Sequence, residues 1–487
     1  RVYPIYFDYV YCDWKTKNYS QSDRDIEFEK LHEKYAPIIV DIIDDLRGLY
    51  IKLAQLCAAN LGDMYPQTWI EACRKFEDQC PYETFDKIEK ILNDEYKTNY
   101  NNIFSYVDPK PLGSASIGQT HYAILKDTGE KVVIKIQYPD AEELFRGDLL
   151  LTKKFAAMAQ PEHLVYLDEM EKQFLTEFDY TLEAKNLDLI GSHLNNSDMW
   201  KSIVVVPKPK HELCTKNCLV MDYLQGHKFI HAIKSNFTAI AKTKGMTFEE
   251  FLESQKDVTP PTAFEMKKIH AQIKMRDFIW NTLAFSLNHS IGYVFYALNG
   301  FQKTNIIPYK NTILPLNLKQ ILDNISSVHG YQLFIMGMFN GDPHPGNILL
   351  LDDGRIGLID YGQVKHFDLD KRILLAKLMV HMVNKDSNKI IETVRAMGLV
   401  TKNNDPWVFE KTAYFYFDSD DLSVTEGKNF LQFMEYLNNR DPAVVKADDY
   451  VFPGRLRMIM SGLYYSLGYT FHGTIHWSKW YNKLLDE

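Results

Sequence analysis

A chain of 487 residues is too long to close around one small core and predicts two lobes with extensions. Its 46% hydrophobic and 24% charged content is that of an ordinary soluble globular protein. A net charge of −9 leaves no surplus of Lys and Arg to neutralise phosphates, which excludes nucleic acid as the main partner. The six cysteines, Cys12, Cys57, Cys73, Cys80, Cys214 and Cys218, are too few and too scattered for a disulfide framework. Cys214 and Cys218 with His211 lack a fourth ligand or a second pair at zinc-site spacing, so a turn between strands is expected there. The chain opens at Arg1 without an initiator Met, which leaves room for a transit or signal peptide ahead of it.

Taken in order, residues 22 to about 100 read as helices. "SDRDIEFEKLHEKYAPIIVDIIDDLRGLYIKLAQLCAANLG" opens on a Ser-Asp cap signal, repeats apolar residues at three-and-four spacing and stops near Gly62. Pro66 and Pro81 then stand at the starts of further amphipathic helices, where a missing N–H costs little. From Val107, "PLGSASIGQTHYAILKDTGEKVVIKIQYP" becomes β-branched and alternating, with Asp127-Thr128-Gly129 as a hairpin turn. "EMEKQFLTEFDYTLEAKNLDLI" is helical, and "SIVVVPKPKHELCTKNCLVMDYLQG" is strand, turn and strand. Residues 278–302 carry no Asp, Glu, Lys or Arg and are long enough to cross a bilayer. Asn281, Asn288, His289 and Asn299 make the stretch polar for lipid and Gly292 interrupts it. An inserted helical hairpin or an intron read into the frame therefore ranks above a membrane span. Beyond Phe367 amphipathic helices run to the end, beginning with "DLDKRILLAKLMVHMVNK". The C-terminal "MIMSGLYYSLGYTFHGTIHWSKWYNKLL" is aromatic with basic residues near its end, and suits an interfacial helix and core packing equally. Helices, a small antiparallel sheet, then a larger helical region make the fold α+β with two lobes.

The chemistry begins at Lys135, a cation in the middle of the β-branched strand "VVIKIQYP". It either points to solvent from an edge strand or faces a cleft, paired with a carboxylate and touching an anionic ligand. Glu177 and Glu183 in "EFDYTLEAKN" are the candidate partners; on a straight helix they stand about 120° apart, so one of them meets Lys135. Glu177 is the expected partner, with a supporting or metal-side place for Glu183. "GSASIGQ", from Gly113 to Gln119, reads as a small-residue phosphate loop or as a plain hairpin turn. In "GDPHPGNILLLDDGRIGLIDYG" a hairpin brings Asn347 near Asp360, an amide and a carboxylate that suit Mg²⁺. Asp342 is left to orient or deprotonate a hydroxyl or water. The order Asp, Asn at +5 and Asp at +18 is the catalytic-loop and metal-Asp spacing of protein kinases.

These stretches, with "LVMDYLQG", resemble the UbiB family of aarF-domain atypical kinase-like proteins over about residues 50–367. The resemblance implies a bilobal protein-kinase-like fold in three parts. These are a helical N-terminal extension (1–100), a kinase-like N-lobe (101–224) and a helical C-lobe (225–487) with an unusual insertion around 235–325. It implies ATP and Mg²⁺ as cofactors. Gly113, Ser114, Ala115 and Ser116 stand for the glycine loop, Lys135 and Glu177 for the phosphate-holding pair, and Met221 and Tyr223 for the adenine-stacking strand. Asn347 and Asp360 stand for the metal ligands and Asp342 for the catalytic-loop acid. Lys52 and Gln55 in "KLAQ" match the family's Lys-x-Gly-Gln motif, which folds over the active site; Ala54 stands where the family has Gly, and Tyr361 where the metal motif has Phe. The implied function is a Mg-ATP-dependent atypical kinase or ATPase supporting isoprenoid-quinone (ubiquinone) biosynthesis or organellar lipid homeostasis. Its implied place is mitochondrial, with plastid as the alternative, and peripheral to a membrane. Implied partners are a membrane lipid or quinone precursor and a lipid-biosynthetic complex. A nucleotide-binding pseudokinase scaffold is the competing reading, and a choline-type small-molecule kinase ranks below both.

Overall fold

Two sheets set the position of the site. In the computed structural model residues 2–58, 66–78, 80–159, 164, 167–168, 171, 174–256, 261–298 and 307–486 are described. The first sheet contains β1 (Phe104–Val107), β2 (Gly113–Ser114), β3 (Gly118–Leu125), β4 (Lys131–Gln137) and β6 (Cys218–Asp222). It is antiparallel in the order β1-β3-β4-β6, with β2 pairing β3. Alternation along β4 gives the sheet two faces. Val132, Ile134 and Ile136 join Ala123 and Val220 in a core sealed by Ile88 and Leu92 of the helix Phe85–Tyr96. Val133 and Lys135 point the other way, into the cleft between the sheets.

The second sheet runs β5-β10-β9-β7, from β5 (Val204–Val205), β7 (Gly226–Lys228), β9 (Ile348–Leu351) and β10 (Ile356–Leu358). Beside it β8 (Met338–Asn340) pairs with β11 (Val364–His366). The expected acidic hairpin is β9–β10, with Gly354 at φ 87° in its turn.

The long helix expected from residue 22 onward is two. Helix Gln21–Leu46 starts at Ser20, whose Oγ accepts the Asp23 N–H at 3.2 Å, and helix Gly48–Ala58 follows. Arg47 between them and Gly48 at the start of the second have positive φ, 58° and 45°, which breaks a single continuous helix. The predicted stop near Gly62 lies outside the described residues.

The tryptophans of the C-terminal aromatic stretch pack into the core, while Tyr465 and Ile475 stay exposed. Trp477, Trp480 and Tyr481 are buried against the helix Leu318–Tyr331 and the turn that follows it, and Leu456, Met460 and Tyr464 of helix Val451–Tyr465 join the same cluster. Trp477 Nε1 donates to Ser326 O at 3.0 Å, and Trp480 Nε1 to Ser327 Oγ at 3.0 Å. Gly330 makes the close approach possible, since a Cβ there would stand 2.5 Å from Trp477 and 2.9 Å from Trp480. Gly330→Ala is therefore expected to lower stability by about 2 kcal/mol, read from denaturant midpoints. An unchanged midpoint would remove the two tryptophans from this contact.

The inserted region is not the expected hairpin either. One helix, Ala263–Leu298, runs from charged residues straight into the charge-free stretch, and the extended segment 307–317 returns along it. Residues 299–302 of that stretch lie outside the described residues. No helix among the described residues is long and apolar enough to cross a membrane.

Candidate active site

Lys135 sits at the centre of the cleft because antiparallel pairing lines it up with Thr120 on β3 and Leu219 on β6. Its ammonium donates to both oxygens of Glu183, at 3.0 and 2.9 Å, and lies 3.3 Å from Asp360 Oδ2. The buried ring of Tyr180 lies 5.1 Å from it. The expected pairing with Glu177 is thus corrected: the partner is Glu183. The stretch "EFDYTLEAKN" is not one straight helix. Glu177 belongs to a 3-10 turn, Leu175–Phe178, and the helix Tyr180–Asn195 begins only after Asp179, whose carboxylate accepts the Thr181 N–H at 2.9 Å. The change of winding turns Glu177 toward the extension. There it accepts from Lys52 at 2.9 Å and from Gln363 Nε2 at 2.6 Å.

Lys52 comes from helix Gly48–Ala58, held in place by Gln55 Nε2 donating to Phe76 O at 3.0 Å, with Ala54 buried beneath it. It also lies 4.0 Å from Asp342 Oδ2. Two cation–carboxylate pairs, Lys135–Glu183 and Lys52–Glu177, therefore stand where one was expected.

The acidic hairpin delivers the other half. The Ile359 N–H donates to Asn347 O at 3.2 Å, which keeps Asn347 and Asp360 on neighbouring strand ends. Asp360 Oδ1 accepts the Gly362 N–H at 3.0 Å, and Asn340 Nδ2 donates to the Asp360 carbonyl at 2.8 Å. Tyr361 is buried, its hydroxyl accepting from Gln332 Nε2 at 2.8 Å, so the residue after the acid is anchored in the core. The Asp342 N–H donates to Asn340 Oδ1 at 2.9 Å, and Arg455 Nη2 donates to Asp342 Oδ1 at 3.1 Å. Arg455 was missed because no local motif marks it and 113 residues separate the partners. Its signal was a guanidinium in the apolar helix "VFPGRLRMIM", where a cation needs a carboxylate.

The remaining candidates fall around this centre. Gly113 and Ser114 form β2, and Ala115 closes the following turn by donating its N–H to Gly118 O at 2.8 Å. Ser114 Oγ donates to Pro81 O at 3.0 Å and meets Tyr138 OH at 3.0 Å, so this hydroxyl fastens the loop to the extension instead of facing the cleft. Ser116 is buried. Met221 pairs across from Val133, which places it on the cleft face with Lys135, and Tyr223 stands edge-on to Tyr122 at 5.0 Å.

Burial pulls the Lys135 ammonium down, and the charges of Asp360 and Glu183 more than reverse it, holding Lys135 well above the ordinary lysine value. Lys52 follows the same pattern, with Glu177 and Asp342 overcoming burial. Burial pushes Glu183 up, to about 7, against the pull of Lys135. For Asp360 burial is outweighed by Lys135 and the Gly362 N–H, which hold its carboxyl below the ordinary value. The cleft so combines fixed cations with a carboxylate kept ionised, a setting for an anionic, metal-bearing ligand. No group of three His, Cys, Asp or Glu side chains able to hold a metal occurs among the described residues. The oxygen donors offered are Asn347 and Asp360. That set fits a hard ion that keeps its other positions for phosphate and water, as Mg²⁺ does.

The model of the ABC1 atypical kinase-like domain matches residues 75–273 and 302–394. The chain is 24% identical over 373 residues to Protein ACTIVITY OF BC1 COMPLEX KINASE 1, chloroplastic, of Arabidopsis thaliana, covering 75% of this chain and 43% of that relative. It is 25% identical over 401 residues to an uncharacterized protein of Synechocystis sp., covering 80% of each. To ABC1 family protein MCP2 of Saccharomyces cerevisiae it is 27% identical over 229 residues, covering 45% of this chain and 40% of the relative. The chain thus spans less than half the length of the Arabidopsis and yeast relatives. A solved Mycobacterium tuberculosis protein in complex with erythromycin superposes with a TM-score of 0.44 at 19% identity, over 90% of this chain and 95% of that one.

Proposed function

Because the chain belongs to the ABC1 atypical kinase-like family, we propose that it is a Mg-ATP-dependent atypical kinase or ATPase of the UbiB type, working in isoprenoid-quinone biosynthesis or organellar lipid homeostasis. The observation that carries this reading is Lys135 held between two carboxylates, 2.9 and 3.0 Å from the oxygens of Glu183 and 3.3 Å from Asp360. Glu183 orients Lys135, whose charge holds phosphate oxygens. Asn347 and Asp360 would hold Mg²⁺, which when bound neutralises charge on the phosphates. Asp342 accepts the proton of an attacking hydroxyl or water, and Met221 and Tyr223 line the adenine side. The acceptor is a small molecule, a quinone precursor or membrane lipid, or water itself: Lys52, reaching from the extension to 4.0 Å from Asp342, leaves little room for a peptide. A relative named as chloroplastic favours a plastid over a mitochondrion as its place.

One observation favours a second reading, a nucleotide-binding scaffold within a lipid-biosynthetic complex. The carboxylate of Asp342 is already engaged by Arg455 and approached by Lys52. Thermal shift with Mg-ATP, followed by phosphate release, separates the two. A raised melting temperature with release is expected. A shift without release selects the scaffold, and no shift overturns both.

A further inference from the structure

The helix Ala263–Leu298 has one face committed and one bare. His270 Nε2 meets Pro315 O at 2.7 Å, and the Asp277 carboxylate accepts the Thr312 N–H and hydroxyl at 2.6 and 2.9 Å. Asn281 exchanges hydrogen bonds with the Lys310 backbone at 2.8 and 2.7 Å, and Asn288 with Ile307 at 2.9 Å each. With Ala284 buried on the same side, these contacts pin the helix's rotation against segment 307–317.

The opposite side carries Phe264, Met275, Phe278, Ile279 and Leu283, an exposed stripe at helical spacing, with Phe264 at 78% and Phe278 at 69% of full exposure. Lys267 and Lys274 flank it and Lys268 stands within it, all exposed, while the exposed Arg276 reaches back to Thr312 Oγ1 at 3.0 Å and to Asp277 Oδ1 at 3.5 Å. The acids on this part of the helix are turned to other uses: Glu265 accepts from Thr262, and Asp277 holds Thr312. Lys310 lies over the Trp280 ring at 3.9 Å, at the rim of an open trough of about 660 Å³ lined by Gln272, Met275, Ile279 and Leu283. In a chain of net charge −9 this is a basic, aromatic surface. The family match stops at 273 and resumes at 302, so most of the stripe lies outside the shared domain.

We propose that this face is a membrane-docking surface, on which the helix lies in the interfacial plane of an anionic bilayer. Exposed apolar side chains interspersed with lysines complement an anionic lipid surface, which can bury the apolar groups and pair the cations with its phosphates at once. The apolar side chains enter the headgroup–acyl boundary and the lysines meet lipid phosphates. The proposal is independent of the phosphoryl chemistry.

Co-sedimentation of the full chain with phosphatidylcholine vesicles, with and without about one third phosphatidylglycerol, tests it. Binding at least about tenfold stronger to the anionic vesicles is expected, weakening with salt. Phe278→Glu with Ile279→Glu, and separately Lys268→Glu with Lys274→Glu, should each remove that binding. Both pairs are exposed, so melting temperature and vesicle-free phosphate release should stay unchanged. No preference for anionic vesicles, or wild-type binding by either variant, overturns the proposal. So does a dimer of the wild-type chain that the Phe278→Glu, Ile279→Glu variant abolishes, since the face would then serve self-association.

Discussion

Asp360→Asn is expected to lower phosphate release from Mg-ATP by at least about 10²-fold while leaving the chain folded. The amide oxygen can still accept the Gly362 N–H that Asp360 Oδ1 accepts at 3.0 Å, and the Asp360 carbonyl keeps its bond from Asn340. What disappears is the negative charge 3.3 Å from Lys135, and with it the one carboxylate offered to the metal. Asn347 alone cannot replace it, because a neutral amide binds a hard divalent ion far more weakly than a carboxylate does. Steady-state phosphate release over a Mg²⁺ titration reads the effect. Release at the wild-type rate would remove Asp360 from the metal role, and recovery at high Mg²⁺ would show that affinity alone was lost.

What could be read in advance follows from how local each relation is. Asn347 and Asp360 flank one hairpin, so local spacing sets them on neighbouring strand ends, and Lys135 stands out as a cation in a β-branched strand. The family and its α+β fold were legible from the same stretches. Relations that depend on where the chain changes its winding were not. Glu177 and Glu183 exchange partners because a 3-10 turn gives way to a helix at Asp179. Gly48 sits inside a periodic run yet breaks the helix, because Arg47 before it also takes a positive φ. In the insertion, the absence of charge from 278 onward suggested a separate unit. The polar contacts that hold the helix, at Asp277, Asn281 and Asn288, nevertheless cross that boundary on one face, four and then seven residues apart. Arg455 and the C-terminal tryptophans depend on contacts more than a hundred residues apart, which no local pattern records.

Glu183→Gln is expected to gain stability relative to the wild type, by about 1 kcal/mol, as pH rises from 6 to 8.5. Glu183 is buried, and burial raises its pKa from 4.5 to about 7, so between these values the folded chain binds a proton that the unfolded chain has released. Stability of the wild-type protein therefore falls as pH rises through this window, by on the order of 3 kcal/mol for this group. Glutamine does not titrate, so the variant lacks that slope, and its melting temperature should gain by about a degree or two on the wild type's across this range. Lys135 keeps Asp360 as a partner at 3.3 Å, and that pair holds its charge throughout the range. The same substitution removes both Glu183 bonds that orient the ammonium. Mg-ATP affinity should therefore fall at every pH, even where stability approaches that of the wild type. A melting-temperature gap that stays constant from pH 6 to 8.5 would mean that Glu183 is ionised throughout. The Lys135–Glu183 pair would then be held by its two hydrogen bonds without any cost from burial. Unchanged nucleotide affinity would return the orienting role to Asp360 alone.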